Sequence, residues 1–429
     1  MNENQYFFGD VATALDNEEA KNKLVQRLRQ YIELRNLTVL IGNGCSIPLG
    51  APVLHDTNRI KDELGDERYR LTDKKQQDRA RKLLDLLVPP GTILGVEPLL
   101  TILSNLRANA LLLGRPQKVG RSTILDEDVS ALERLVKKWL YGRCKALNEV
   151  PDEALRHHEE LLRRILLRST TLPRCKVFTT NYDLLLERAL DNLGVLYFDG
   201  FLGTLNRTLR TESYHYDLYY PGETTEGRVS RVDRVLHLYK MHGSVNWRRR
   251  ATAGLDVNIS YTTPDDAEYG DVMIYPSPLK VTEMNGYPYA EMFRHFSAHV
   301  HQPQSALLAI GYSFQDDHIN RLIYQALSIP SFVLIIVLPE VTTPGDPTNP
   351  APQNEVWRLI NLVRSKRILV ITGAQKGPDG TYTAGAGTME EFSSTWMPDI
   401  RELTVESNAR EETRKALKPL TPPAEEEEA

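Results

Sequence analysis

Cysteine is scarce in this chain, with Cys45, Cys144 and Cys175 the only three in 429 residues. Their wide separation excludes a disulfide framework and a paired CxxC zinc site, and it fits a reducing cytoplasm. No apolar run is long enough to cross a bilayer, and Met1 to Ala20 lacks the basic and apolar regions of a signal peptide. The expectation is a soluble, cytoplasmic protein with no membrane association. There is no excess of positive charge either. The formal net charge is -5, so a broad nucleic-acid-binding surface is not indicated and direct nucleic-acid binding is not expected. No internal repeat is evident. What is present is 41% hydrophobic residues, enough for a substantial core, over a length suggesting two or three structural units.

Leu24, Val25, Leu28, Tyr31 and Ile32 recur at helical spacing and predict an N-terminal helix. Leu37 to Ile41 then reads as a buried strand running into the turn Gly42-Asn43-Gly44-Cys45-Ser46. From about Asn58 to Ser169 the pattern becomes leucine-rich and helical, broken at Pro89-Pro90, Gly114 to Pro116 and Pro151, with no convincing strand. Strand patterns resume at Cys175–Phe178, Val235–Met241, Ala306–Ile310, Phe332–Leu338 and Ile368–Ile371. The expected fold is α/β, a Rossmann-like parallel sheet with a large α-helical insertion. The corresponding units are 1–57 (N-terminal helix and first part of the sheet domain), 58–170 (helical insertion, suited to shielding a site and to self-association), 171–410 (remainder of the sheet domain) and 411–429 (an acidic, disordered tail). A small cap is expected near 246–300.

Four polar loops follow four candidate strands, and ligands of open α/β sheets bind at the carboxyl ends of strands. Gly42 and Gly44 permit a tight turn, and Ser46 is placed to cap a helix containing Pro48, whose amide end would favour a pyrophosphate. The ordinary alternative is a simple strand-to-helix turn. Ile47 stands where a third glycine would complete a dinucleotide fingerprint. Thr179-Thr180-Asn181-Tyr182-Asp183 precedes an apolar helical run, and each polar group there has a capping role as its plain reading. His242-Gly243-Ser244 reads either as a turn holding a bonded histidine or as a catalytic group. Gly311-Tyr312-Ser313 follows a strand and suits a ribose or phosphate contact. Asp316, Asp317 and His318 have the chemistry of a metal cluster, but their adjacency favours capping over ligation.

In this order the loops resemble those of the sirtuin family. Gly42 to Ser46 is similar to the family's GAGxS loop, Thr180-Asn181-Tyr182-Asp183 to its QNxD segment, His242-Gly243 to its catalytic His-Gly, and Gly311-Tyr312-Ser313 to its GTS loop. The four-cysteine zinc module of deacylating sirtuins is absent, and Pro52-Val53-Leu54-His55 replaces the continuation of the first loop. The likeness is greatest to prokaryotic sirtuin-like effectors of antiphage defence, and within them to the subunit that assembles with a HerA-type hexameric ATPase. The resemblance implies a homo-oligomeric NAD glycohydrolase that cleaves NAD, its substrate, to nicotinamide and ADP-ribose without a metal. Asn181, His242 and Asp183 would be catalytic. Gly42, Gly44, Cys45, Ser46, Thr180, Gly311, Tyr312 and Ser313 would line the NAD site. A protein deacylase, an ADP-ribosyltransferase and a non-catalytic NAD or ADP-ribose sensor are the alternatives.

Overall fold

The computed structural model describes residues 2–54, 61, 63–64, 66–89, 92, 94–220, 231–250, 258–262, 287–341, 354–377 and 381–399. The expected acidic tail and the Met273–Pro278 part of the expected cap lie outside them. The chain opens on two strands that its periodicity does not announce, β1 (Asn2–Phe8) and β2 (Val11–Ala14). The expected helix follows at Glu18–Ile32. Asn17 caps it, accepting from the Ala20 amide at 2.9 Å, and Glu18 and Glu19 place negative charge at the end where peptide dipoles favour it. Leu24, Leu28 and Ile32 form its buried stripe.

After β3 (Asn36–Ile41) the leucine-rich region supplies helices Lys74–Leu87, Val96–Leu113, Asp126–Ala146 and Arg156–Leu166. Contrary to the expectation of helices alone, it also holds a hairpin of β4 (Gln117–Val119) and β5 (Ser122–Ile124). Gly120, at φ +58°, supplies its turn, and strands this short carry too few alternations to register as a pattern. The chain continues through β6 (Lys176–Thr179), β7 (Leu196–Phe198), β8 (Phe201–Leu202), β9 (Thr208–Leu209) and β10 (Val235–Lys240). Next come β11 (Trp247–Arg250), β12 (Asn258–Tyr261), β13 (Ser305–Ile310), β14 (Val333–Val337), β15 (Ile368–Lys376) and β16 (Tyr382–Thr383).

The main sheet runs β2-β1-β15-β14-β13-β3-β6-β10-β7, with β16 paired to β15. All neighbours from β15 to β7 are parallel, and β1 and β2 extend the edge antiparallel. Alternate side chains divide between two cores. Val39, Ile41, Val177, Leu238 and Leu308 pack with the Glu18–Ile32 helix, and Leu40, Phe178, Tyr239 and Leu307 pack with helices Tyr289–Val300 and Asp317–Ala326. Covering both faces is why these strands read as unbroken apolar runs, and each fully buried Leu or Ile contributes about 1.5–3 kcal/mol by leaving water. Part of the expected cap is a separate sheet, β11-β12-β9-β8.

The order in which strands are added reverses at β3. The path adds β6 and β10 on one side, then returns to place β13, β14 and β15 on the other. A crevice outside the carboxyl ends of β3 and its neighbours follows from that reversal. The helical region closes over it, because Tyr182, Leu184 and Val245 are buried in one cluster with Leu132, Leu135, Val136 and Trp139. Among the described residues, no helix is long and apolar enough to cross a membrane.

Candidate active site

Strand register brings the four loops level. Ile310 pairs with Ile41, Ile41 with Thr179, and Thr179 with Lys240, so the segments starting at Gly311, Gly42, Thr180 and Met241 leave the sheet side by side. Thr179 ties them together, its hydroxyl donating to Ile41 O at 2.9 Å while accepting from the Asn181 amide at 3.0 Å. The Thr180 amide donates to Ile41 O at 3.3 Å.

Asn181 is 5% exposed and its carboxamide has one defined orientation. Nδ2 donates to Gly42 O at 3.2 Å and to Ser46 Oγ at 3.0 Å. Oδ1 is buried and accepts no hydrogen bond among the described residues. A buried acceptor in that state is costly unless a water or ligand group completes it. His242, also buried, sits in the turn after β10, with Gly243 at φ +83° reversing the chain. Its ring lies 6.4 Å from that of Tyr182 and 6.3 Å from that of Phe293, centroid to centroid, and its Nε2 is 3.1 Å from Asp316 Oδ2.

The glycine loop differs from its expected form. Asn43–Cys45 and Ile47–Leu49 are single 3-10 turns, and Ser46 makes no capping bond with its side chain. The hydroxyl serves Asn181 instead. Four of the loop amides are engaged within the protein: Gly42 N donates to Ile310 O, Gly44 N to Gly311 O, Cys45 N to Gly42 O and Ser46 N to Asn43 O, at 2.9–3.1 Å. The glycines serve loop-to-loop contact. A Cβ on Gly42 would stand 2.5 Å from Gly311 O, and one on Gly44 2.8 Å from the same atom. Cys45 turns its thiol into the core, 3.5 Å from Ile310 O, where burial pushes its pKa up and leaves it inert.

The Asp183 carboxylate accepts from the Leu185 amide, two residues on, at 3.1 Å at the start of helix Leu185–Asn192. Its backbone oxygen accepts from the Lys240 ammonium. Lys240 also meets Glu187 at 3.1 Å, a buried ion pair beneath the site that the sequence pattern did not single out. Burial raises the Glu187 carboxyl, with Lys240 opposing it. Burial likewise lowers His158 to about 4 against the attraction of Asp183. In the fourth loop Tyr312 is buried and its hydroxyl donates to Asn320 Oδ1 at 3.0 Å, so its side chain braces the loop; Ser313 is exposed. Asp316 caps helix Asp317–Ala326, Oδ1 accepting from His318 N at 3.0 Å and Ile319 N at 3.5 Å. No group of three or more His, Cys, Asp or Glu side chains among the described residues is arranged to hold a metal ion.

The site thus joins Asn181, Ser46 and Gly42 directly, places His242 beside Asp316, and leaves Cys45, Tyr312 and Asp183 with supporting bonds of their own. Residues 176–362 match the family described as SIR2-like domain, a range that includes Asn181, His242 and Asp316 but not the glycine loop. Among solved structures, a Sir2 homologue–NAD complex is similar at 17% identity and TM-score 0.35, covering 81% of this chain and 93% of its own. A mutant of Sir2 homologues in complex with 2'-O-acetyl ADP ribose is similar at 15% identity and TM-score 0.32, covering 80% and 94%. No curated protein matches the chain.

Proposed function

We propose that this chain is an NAD glycohydrolase. The observation that carries the reading is the Asn181 carboxamide, whose nitrogen is held by Gly42 and Ser46 and whose buried oxygen is left to accept from a ligand hydroxyl or water. The match of residues 176–362 to a SIR2-like domain supports NAD as the substrate. In the proposed reaction the bond between C1′ of the ribose and the nicotinamide nitrogen breaks, its electron pair goes to that nitrogen, and the pyridinium charge is lost. Positive charge develops on the ribose as in other glycosidic cleavages. Water adds at C1′ and gives its proton to His242, which passes it to solvent. Asn181 Oδ1 would align the water or a ribose hydroxyl, and Asp183 would hold the helix start beneath them. With the amides of Gly42, Gly44, Cys45 and Ser46 engaged within the protein, the exposed Ser313 side chain would contact the pyrophosphate.

The test is release of nicotinamide from NAD by the full chain without an acylated peptide, followed by chromatography. Asn181→Ala and His242→Ala, shown to be folded, are each expected to lower turnover by about 10²-fold or more. Undiminished turnover in both would reject the site, dependence on a peptide would favour a deacylase, and tight NAD binding without release would favour a sensor.

The proposal extends to assembly. Leu111, Leu112 and Leu113 are 57–83% exposed at the end of helix Val96–Leu113, an apolar cluster suited to a contact between copies. The family resemblance adds a HerA-type hexameric ATPase as partner and an NAD-depleting role in antiphage defence. Mass photometry of the chain alone and with such an ATPase tests both steps. A monomer that forms no complex and whose activity the ATPase leaves unchanged would overturn them without touching the hydrolase reading.

A further inference from the structure

His242 and Asp316 start from strands that are not neighbours. β10 and β13 are separated by β6 and β3, three strand spacings or about 14 Å at the sheet edge, yet Nε2 and Oδ2 are 3.1 Å apart. The segments from Gly311 to Asp316 and from Met241 to His242 therefore together bridge the ends of the two intervening strands. The course of the first is fixed from within. Gly311 turns at φ +62° and Phe314 at φ +56°, Asn320 Nδ2 donates to Phe314 O at 2.8 Å, and the Tyr312 hydroxyl contacts Asp316 O at 3.3 Å as well as Asn320. The two carboxylate oxygens of Asp316 do different work. Oδ1 accepts the amides at the start of the following helix, which leaves Oδ2 turned to the imidazole.

We propose that Asp316 is a positioning residue for His242, its carboxylate fixing the ring with the proton on Nε2 and supporting the positive charge the ring acquires. The proposal rests on the glycohydrolase reading for the step in which that charge appears. With Nε2 bearing hydrogen towards Asp316, Nδ1 is the basic nitrogen that takes the proton released by water or by a ribose hydroxyl. The resting contact has the distance of an ion pair, and it strengthens when the ring becomes positive. Both groups are buried, 7% exposed for His242 and 8% for Asp316, so solvent screens the pair little. Among the described residues, Asp316 is an acidic group in contact with the ring. Tyr182 is the titratable neighbour from the loop after β6, and Phe293 faces the ring from the helix before β13.

Asp316→Asn separates the two oxygens, because asparagine caps helices as well as aspartate does but carries no charge. Asp316→Ser also caps and is too short to reach the ring, and it serves where the asparagine variant fails to fold. Histidine-labelled full-length protein, with the His242 signal assigned by His242→Gln, is titrated without ligand by NMR. The expected result is a His242 pKa lower by roughly one unit or more in Asp316→Asn than in the parent, with the melting temperature unchanged. In nicotinamide release, kcat is expected to fall by about 10-fold or more at nearly constant KM, with the acidic limb of the pH profile moved to lower pH. An unmoved His242 titration in a folded variant overturns the proposal, as does a kcat and pH profile equal to the parent's. A shifted titration in a parent protein that releases no nicotinamide upholds the pair and rejects the glycohydrolase reading, so the two fail separately.

Discussion

Asn181 Nδ2 donates to Ser46 Oγ at 3.0 Å, and this bond between the second and the first loop decides which way the carboxamide faces. Ser46→Ala is expected to remove about 1 kcal/mol of that orientation, lowering turnover of NAD roughly 5-fold with little change in melting temperature. Steady-state kinetics beside a thermal melt check it. A loss as large as that of Asn181→Ala would mean that Ser46 touches substrate itself.

The contact of the glycine loop with Gly311 gives a stability test. A Cβ at Gly311 would stand 2.6 Å from Cys45 Sγ and 2.7 Å from Cys45 N, at a backbone φ of +62° that disfavours alanine. Gly311→Ala is expected to cost about 1–3 kcal/mol in urea unfolding. Gly120 has nearly the same φ, +58°, with open space where its Cβ would be, so Gly120→Ala should cost clearly less. Equal losses would show that backbone conformation, not loop contact, is what Gly311 provides.

Lys240 and Glu187 form a buried pair whose removal on one side leaves the other charge unmatched. Lys240→Met alone is expected to destabilise by about 3–5 kcal/mol, and Lys240→Met with Glu187→Leu to recover much of it. Chemical denaturation of the four members of this cycle reads the coupling directly. Additive losses would mean that Lys240 acts mainly through its bond to Asp183 O.

Acid should weaken the fold through a second buried group. Lys176 donates to His237 Nδ1 at 2.9 Å and His237 Nε2 donates to Tyr216 O at 3.0 Å, which fixes the ring neutral. Burial, reinforced by Lys176, lowers His237 to about 3; His299 and His295, on the helix before β13, fall to about 3 and about 4 for the same first reason. Their unfolded value is 6.5, so the unfolded chain binds the extra protons as pH drops below it, and stability present above pH 6.5 is lost towards pH 3. Thermal melts at pH 7 and pH 5 should show a clear fall, reduced in His299→Phe. A variant with an unchanged slope would exclude His299 as a contributor.

The parallel sheet was legible because its strands are buried on both faces. Leu37 to Ile41 and Ala306 to Ile310 needed no partner to be recognised as apolar strands, and their termini predicted where polar loops emerge. β1 and β2 were not legible, since an antiparallel edge mixes exposed and buried residues over a few positions. The capping role of Asp316 follows from its place before a helix. Its contact with His242 does not, because the two residues start from strands separated by two others. The glycine loop was legible only in part: Gly42 and Gly44 signal a close approach, and the fold shows that Gly311 is one of the groups that approaches.

Tyr182 and Val245 flank Asn181 and His242 in sequence and are buried among the leucines of the helical region, with the Tyr141 hydroxyl 3.4 Å from Val245 O. The chain therefore cannot be trimmed to a minimal sheet. Excising residues 58–170 would strip the covering from both loops, and any partial opening of those helices would loosen Asn181 and His242 together. Slow hydrogen exchange at the Val245 amide, which donates to Tyr182 O at 3.0 Å, would thus report the integrity of the helices and of the site as one cooperative unit.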